Sequence, residues 1–457
     1  MMKGGMKMTI KHGKMDEIDS TPTKRLFINI LNRDISVKAC ILDLIDNSVD
    51  AYIRNEETER RKIRLDISKD EFKIFDNCGG IEYNFLKNTV FRFGADIKRD
   101  KPTLGIYGIG MKRAILKMGK KILMETDDGK SYSKIDLDVN KWRKSNNWEI
   151  PFEHFEDSRL SPDEKPYTKI VVTDLYDNIV EKFNLHSFIN SVREAIHVTY
   201  AFFITKNIDF YLNNDVKIEP FVIEARSDEL YKPTKHQENF EGVDFEIICF
   251  IDPKEGRTKK ELGKRGWNIF FNKRLLLAED TTGITGWSGV PEDLPKYHQI
   301  YNEFRGIVFI SSVDPSRLPL NTSKTGLDTE TSIYDYIRNK MIRTSRPLIN
   351  YLSKKYNEEK DTLDEIEEKV VAEEESETVE KEEAVEANYV PLDEIEVGSE
   401  FKAPEKRKPK IKMSNIYYKR PEKLVKKVKQ NLKAYSLKEV GEKTFDYYVD
   451  LEEIENE

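Results

Sequence analysis

Cysteine is scarce in this chain of 457 residues: Cys40, Cys78 and Cys249 stand far apart and odd in number. That excludes a disulfide framework and a zinc knuckle, and it fits a reducing, cytoplasmic compartment. Six scattered histidines offer no metal-ligand spacing. No run of about eighteen apolar residues occurs, so neither a membrane span nor a membrane partner is expected. The opening stretch "MMKGGMKMTIKHGKMDEIDS" has no continuous apolar core, does not read as a secretory signal, and is expected to leave residues 1–19 as a flexible tail. No internal repeat is present.

What is abundant is charge, 35% of residues, and it is unevenly placed. Residues 357–400 hold nineteen Asp/Glu against three Lys/Arg, and residues 402–433 hold thirteen Lys/Arg against two Glu. The first 356 residues are nearly neutral, so the net charge of −7 says little about partners and each region is read separately.

Residues 20–200 alternate helical and strand signals. "KACILDLIDNSVDAYI" spaces Ile41, Leu44, Ile45, Val49 and Tyr52 as one helix face. "KIRLDIS", "EFKIFDN" and "YTKIVVTDL" read as strands, and "KILMETD" and "SYSKIDLD" around "DDGK" as a hairpin. "NLHSFINSVREAIHVTYAFFI" reads as a helix. A second α/β region follows with "IDFYLNN", "DFEIICFID", "WNIFFNKRLLLA" and "GIVFISSV" as strands, then a helix over 332–353 expected to break near Pro347. The Glu-rich stretch from 357 cannot bury enough apolar surface to fold alone. Periodicity returns in "PEKLVKKVKQNLKAYSLKEVGEKTFDYYVD", a small helical module.

Three polar clusters occur in order. On the helix, Asp43, Asn47 and Asp50 are four and three residues apart and share a face, with Asp46 slightly offset. Oxygen ligands of this kind suit magnesium beside a phosphate chain, and a carboxylate there can orient water. An ordinary amphipathic helix with a solvated acidic side reads the same way in isolation. Next, "FDNCGGI" delivers Asp76 at a strand end before a sharp turn through Gly79 and Gly80. An Asp there can accept from an exocyclic amine, though an exposed turn is the simpler account of the stretch alone. Last, "LGIYGIGMKRA" sets Gly105, Gly108 and Gly110 before Met111 and Lys112. Such glycines let backbone N–H groups converge on an anion, and a helix starting near Met111 adds its positive end. The stretch is not a Walker A loop, and its place after an acidic helix suits a dinucleotide fold poorly.

In this order the clusters resemble the Bergerat-fold (GHKL) ATPases, the superfamily of the gyrase ATPase subunit, the large cytosolic heat-shock chaperone, histidine kinases, the MutL repair protein and MORC proteins. Thr168 in "YTKIVV" stands where that superfamily places a Thr beside its adenine-binding Asp. The resemblance implies an α+β fold: an α/β sandwich ATPase domain at 20–203 with a mixed sheet and helices on one face. It also implies a transducer-like α/β domain at 204–356; composition and periodicity add an acidic linker at 357–400 and a basic segment and helical module at 401–457. It implies ATP and Mg2+ as ligands, with Asn47 as metal ligand and Asp43 as the water-activating carboxylate. Asp50 supports the nucleotide site and Asp76 takes the adenine amine. Gly80, Gly105, Gly108, Gly110, Met111, Lys112 and Thr168 complete the nucleotide contacts. In "SSVDPSRLPLNTSKTGLD", Pro319, Asn321 and Thr322 shape a loop that presents Lys324 to the terminal phosphate; Arg274 is a weaker candidate. Two positions depart from the superfamily. Asp43 replaces the usual Glu and retracts the carboxylate by roughly 1.5 Å, and Cys78 replaces the first glycine of D-x-G-x-G.

The activity these features imply is ATP binding with slow hydrolysis, an ATPase-driven conformational switch of chaperone-like kind with lid closure and ATP-dependent homodimerisation, acting on an unspecified protein client. A module that binds ATP with little turnover, or an ATP-gated nucleic-acid clamp, are the alternatives. Residues 402–433, with Tyr417 and Tyr418 among lysines, are the candidate nucleic-acid contact, though they also suit pairing with the acidic linker.

Overall fold

The computed structural model describes residues 23–26, 28, 35–55, 59–95, 100–105, 108–145, 147–219, 224–228, 231–252, 265–320, 326–371, 388–402, 419–434 and 436–451. The chain divides into two compact units, Met1–Lys360 with Glu386–Pro404, and Asp361–Val385 with Glu405–Glu457.

In the larger unit, eight strands form one mixed sheet: β1 (Arg61–Ile67), β2 (Glu71–Asp76), β3 (Gly119–Asp127), β4 (Ser131–Asp138), β5 (His154–Asp157), β6 (Tyr167–Leu175), β7 (Ile208–Leu212) and β8 (Val216–Ile218), in the order β5-β4-β3-β6-β2-β1-β7-β8. β1 and β7 run parallel and the other pairs antiparallel. The strand over "IDFYL", read from sequence with the second region, instead extends this first sheet.

Alternation sets the faces. Ile63, Leu65, Ile67, Ile122, Met124, Ile170 and Val172 are buried in one core. Opposite them, Asp66 faces Lys73 and Glu125 faces Lys169 across the strands, at 3.3 and 2.7 Å. Such directly opposed charges suit a solvated sheet face. Helix α1 (Val37–Arg54) covers the apolar face with Cys40, Ile41, Leu44, Ile45 and Val49, and helix α2 (Gly110–Met118) adds Ala114, Ile115, Leu116 and Met118 to the same core. The single helix expected after β6 is two, α3 (His186–Thr199) and α4 (Ala201–Lys206), divided at Tyr200.

A second sheet follows. Short β9 (Glu224–Arg226) precedes β10 (Thr234–Phe240), β11 (Val243–Ile251), β12 (Gly266–Phe271), β13 (Arg274–Asp280) and β14 (Phe304–Ser311), ordered β10-β11-β14-β12-β13. β11 and β12 read as nearly unbroken apolar runs because both faces are covered. On one face lies helix α5 (Ser332–Val371), with Tyr334, Ile337, Met341, Ile342, Leu348, Ile349 and Leu352 in the core. This helix continues through Pro347, past the break expected there, because one lost backbone bond is small against that buried stripe. At Gly306 on β14 an added Cβ would lie 2.2 Å from the Trp267 ring, so only glycine admits that indole.

The other face packs on Phe202 of α4, and on Leu392 and Ile395 from a returning segment. That segment includes β15 (Tyr389–Pro391), which pairs with β9, while Thr234 Oγ1 donates to Ser399 O at 2.7 Å. The far end of the stretch read as an acidic linker is therefore folded onto the second sheet. In the smaller unit, α6 (Glu422–Asn431) and α7 (Leu437–Leu451) form the helical module, with Ala434 and Val440 buried.

The hairpin β12–β13 ties the second sheet to the first domain. Arg274 Nε donates to Asp46 Oδ1 on α1 at 2.8 Å, and the Tyr200 hydroxyl donates to the same oxygen at 2.7 Å. Asn272 Nδ2 donates to Thr103 O at 2.7 Å. Arg274→Ala removes the cation paired with the buried Asp46 carboxylate and is expected to cost about 3–5 kcal/mol in urea unfolding. Asp46→Leu combined with Arg274→Met is expected to cost clearly less, since no charge is left unpaired.

Candidate nucleotide site

The cavity lies where α1, β2, β6 and the start of α2 meet. Ser36 caps α1 by accepting from Ala39 N–H at 3.1 Å. With the apolar stripe against the sheet, Asp43, Asn47 and Asp50 line the cavity, whereas Asp46 turns to Arg274. Asn47 Nδ2 faces Asp43 O at 2.8 Å; that carbonyl only accepts, so the amide oxygen is left for the cavity side.

Asp76 sits in a row across three strands, opposite Thr168, which is itself opposite Thr126. The two threonine hydroxyls are 3.1 Å apart, and Thr126 Oγ1 also accepts from Ile81 N–H at 2.8 Å. Ser48 Oγ donates to Asp76 Oδ2 at 2.7 Å, and Cys78 N–H to Oδ1 at 3.0 Å. A carboxylate offers roughly four acceptor positions, so both oxygens retain capacity for another donor. Burial raises the Asp76 pKa to about 6, against the opposing hydrogen bonds from Ser48 and Cys78. The buried Cys78 has no positive φ, so the backbone at this position needs no glycine. Gly80 does. Its φ is +65°, and an added Cβ would meet Asp127 O at 2.2 Å. Gly80 does not line the cavity; it lets the turn after β2 close on the β3–β4 hairpin.

Asp50 accepts from Leu104 and Gly105 N–H at 2.6 and 2.7 Å, holding the root of the glycine segment against α1. Gly105, Gly108, Gly110 and Met111 line the cavity. A Cβ at Gly110 would sit 3.2 Å from Asp43 Cγ, so α2 begins in close contact with that carboxylate. Lys112 also lines the cavity, but its ammonium donates to Val90 O and Arg92 O at 2.9 Å each. Val90 ends a π-helical turn at Leu86–Val90 and Arg92 follows it, and burial lowers the Lys112 pKa to about 8. Lys112 is thus turned from the expected phosphate to the backbone. Lys324, with Asn321 and Thr322, lies outside the described residues.

Ser48, Thr126 and Arg113 escaped the sequence reading. Ser48 adjoins Asn47 without any motif of its own, and Thr126 acquires its place only from the β3–β6 register. Arg113, next to Lys112, donates from Nη2 to Asp43 Oδ2 at 3.0 Å.

Among the described residues no group of three or more His, Cys, Asp or Glu could hold a metal. The donor set that fits magnesium is narrower: one amide oxygen, from Asn47, to be completed by phosphate and water oxygens.

The raised Asp76 pKa sets a signed expectation. A carboxyl raised from 3.8 to about 6 opposes folding once it ionises, by roughly 3 kcal/mol. That cost is absent below about pH 4 and complete above about pH 7. Asp76→Asn is therefore expected to gain melting temperature relative to the unsubstituted protein as pH rises from 4.5 to 7.5, read by thermal denaturation; a constant difference would contradict it.

No curated protein matches the chain. Residues 35–165 match the family described as "Histidine kinase-, DNA gyrase B-, and HSP90-like ATPase". That span runs from the cap of α1 through β2, the glycine segment and α2 to just before β6. Residues 35–165 of the chain are a GHKL, or Bergerat-type, ATPase domain.

Proposed function

We propose that the protein binds ATP with magnesium in this cavity and hydrolyses it slowly, driving a conformational switch between the ATPase domain and the second sheet. The observation that carries the reading is the convergence in one cavity of Asp76 with Thr168, Asn47, Asp43 and the glycine segment. Asp76 takes the adenine amine, and backbone N–H groups from Gly108 to Met111 take the phosphates. The Asn47 amide oxygen holds magnesium, which when bound offsets phosphate charge.

In hydrolysis the water oxygen bonds to the terminal phosphorus as the bond to the bridging oxygen breaks. ADP leaves with that electron pair. Asp43 takes the proton lost by the water and returns it to solvent. Leu320, the last described residue before Lys324, lines a small cleft with Thr103 and Leu104. That proximity supports assigning Lys324 to the terminal phosphate, where an ammonium offsets developing charge.

The second sheet acts as transducer through the hairpin contacts to Asp46 and Thr103. A ligand that binds the closed arrangement better shifts the population towards it, and homodimerisation with action on a protein client follows as the output. Nucleic acid remains a candidate partner for 402–433, of which residues 403–418 lie outside the described residues. The Asp43–Arg113 pair, with the short Asp side chain, favours one second reading: a nucleotide sensor with little turnover.

Calorimetry and steady-state turnover test these together. Mg-ATP is expected to bind at micromolar to millimolar strength and to weaken with EDTA, and Asn47→Ala is expected to shrink the EDTA effect. Asp43→Asn is expected to keep binding and abolish turnover. Binding without turnover in the unsubstituted protein selects the sensor, and absence of any heat with Mg-ATP removes both readings.

A further inference from the structure

Two cations follow the third glycine of "GIYGIGMKRA", and the structure separates their tasks. Lys112 is 4% exposed and spent on the carbonyls of Val90 and Arg92. Arg113 lines the same cavity as Asn47, Gly108 and Gly110, on the first turn of α2. One of its Nη2 donors reaches Asp43 at 3.0 Å, and its Nε is buried without a hydrogen-bond partner among the described residues. A guanidinium has five N–H donors in a planar fork, so an arginine held by one contact has most of its capacity unused. Planar forks of this kind match phosphate oxygens in pairs.

We propose that Arg113 is a phosphate-contacting arginine supplied from within the chain, held on Asp43 when the terminal phosphate is absent and transferred to it when it arrives. This rests on the reading of the cavity as an ATP site.

Three observations favour it. The pair is close to the start of α2, where a Cβ at Gly110 would already touch Asp43, so any terminal phosphate brought near Asp43 is brought near Arg113. Arg113 is the cation of the Lys-Arg pair whose side-chain partner is a cavity carboxylate; that of Lys112 is backbone carbonyl. And a carboxylate bound to a guanidinium is a weak proton acceptor, so transfer of Arg113 to phosphate both stabilises the terminal phosphate and releases Asp43 to orient water. ADP, which has no γ-phosphate to take the arginine, binds without triggering the exchange.

The test separates contact with phosphate from mere neutralisation of Asp43. Affinities of the full-length protein for Mg-ATP and Mg-ADP are measured by calorimetry in Asp43→Asn and in Asp43→Asn with Arg113→Gln. Neither variant has the carboxylate, so any remaining effect of Arg113 is its own. The expected result is that the preference for ATP over ADP falls about tenfold when Arg113 is replaced, with ADP affinity little changed, and that Arg113→Lys on the same background restores part of it. Equal preference in the two variants overturns the proposal, as does an equal loss for ATP and ADP. Should Arg113→Gln fail to fold, judged by circular dichroism, the Arg113→Lys variant carries the same comparison: a preference unchanged from Asp43→Asn overturns the proposal and a reduced one supports it. Failure of the ATP reading is distinguishable, because Asp43→Asn would then bind neither nucleotide.

Discussion

Two hydrogen bonds accepted by one carboxylate organise the site. Asp50 accepts from the consecutive N–H groups of Leu104 and Gly105, and so pins the root of the glycine segment to the helix that carries Asn47. A Cβ at Gly105 would come within 2.8 Å of Asp50 Oδ2, so glycine is needed for that approach. Charge-assisted bonds of this kind are short and strong, and leaving either N–H unpaired in so buried a place would cost on the order of 1–3 kcal/mol. The glycine end of the cavity takes its position from this clamp.

From the clamp outward, the helix α1 serves three neighbours with successive polar residues. Asp43 meets the start of α2, Asp46 meets the second sheet, and Ser48 meets Asp76 at the opposite end of the cavity. Less than two turns of helix thus touch both ends of the cavity and the β12–β13 hairpin. Because a packed helix moves as a body, a shift that relieves or tightens one of these contacts is felt at the others. The hairpin β12–β13 reinforces the link by holding both Asp46 and the carbonyl of Thr103, two elements on either side of the clamp.

The buried aspartates at the two ends of the cavity also differ in character. Asp76 is raised to about 6 because desolvation outweighs its two hydrogen bonds. Asp43 sits against a guanidinium instead. Environment, not residue type, sets the two apart: one carboxylate is held by neutral hydrogen bonds in a desolvated corner, the other by a cation.

The order of the motifs was legible in the sequence because helix and strand periodicities are local. Spacing alone put Asp43, Asn47 and Asp50 on one face of a helix, Asp76 at a strand end, and glycines before a second helix, and these led to the GHKL resemblance over the first domain. Sequence could not decide what each side chain meets across the fold. Lys112 stood among the expected phosphate contacts, but the carbonyls of Val90 and Arg92 take its ammonium, while the neighbouring arginine meets a cavity carboxylate. Gly80 looked like a nucleotide contact, but hairpin packing claims it. Thr126 and Ser48 joined the Asp76 group only through strand register and helix rotation, and β7 went to the first sheet by pairing in parallel with β1. These outcomes turn on contacts between residues far apart in the chain, where burial and unmet hydrogen bonds weigh more than local propensity, and only the tertiary structure specifies them.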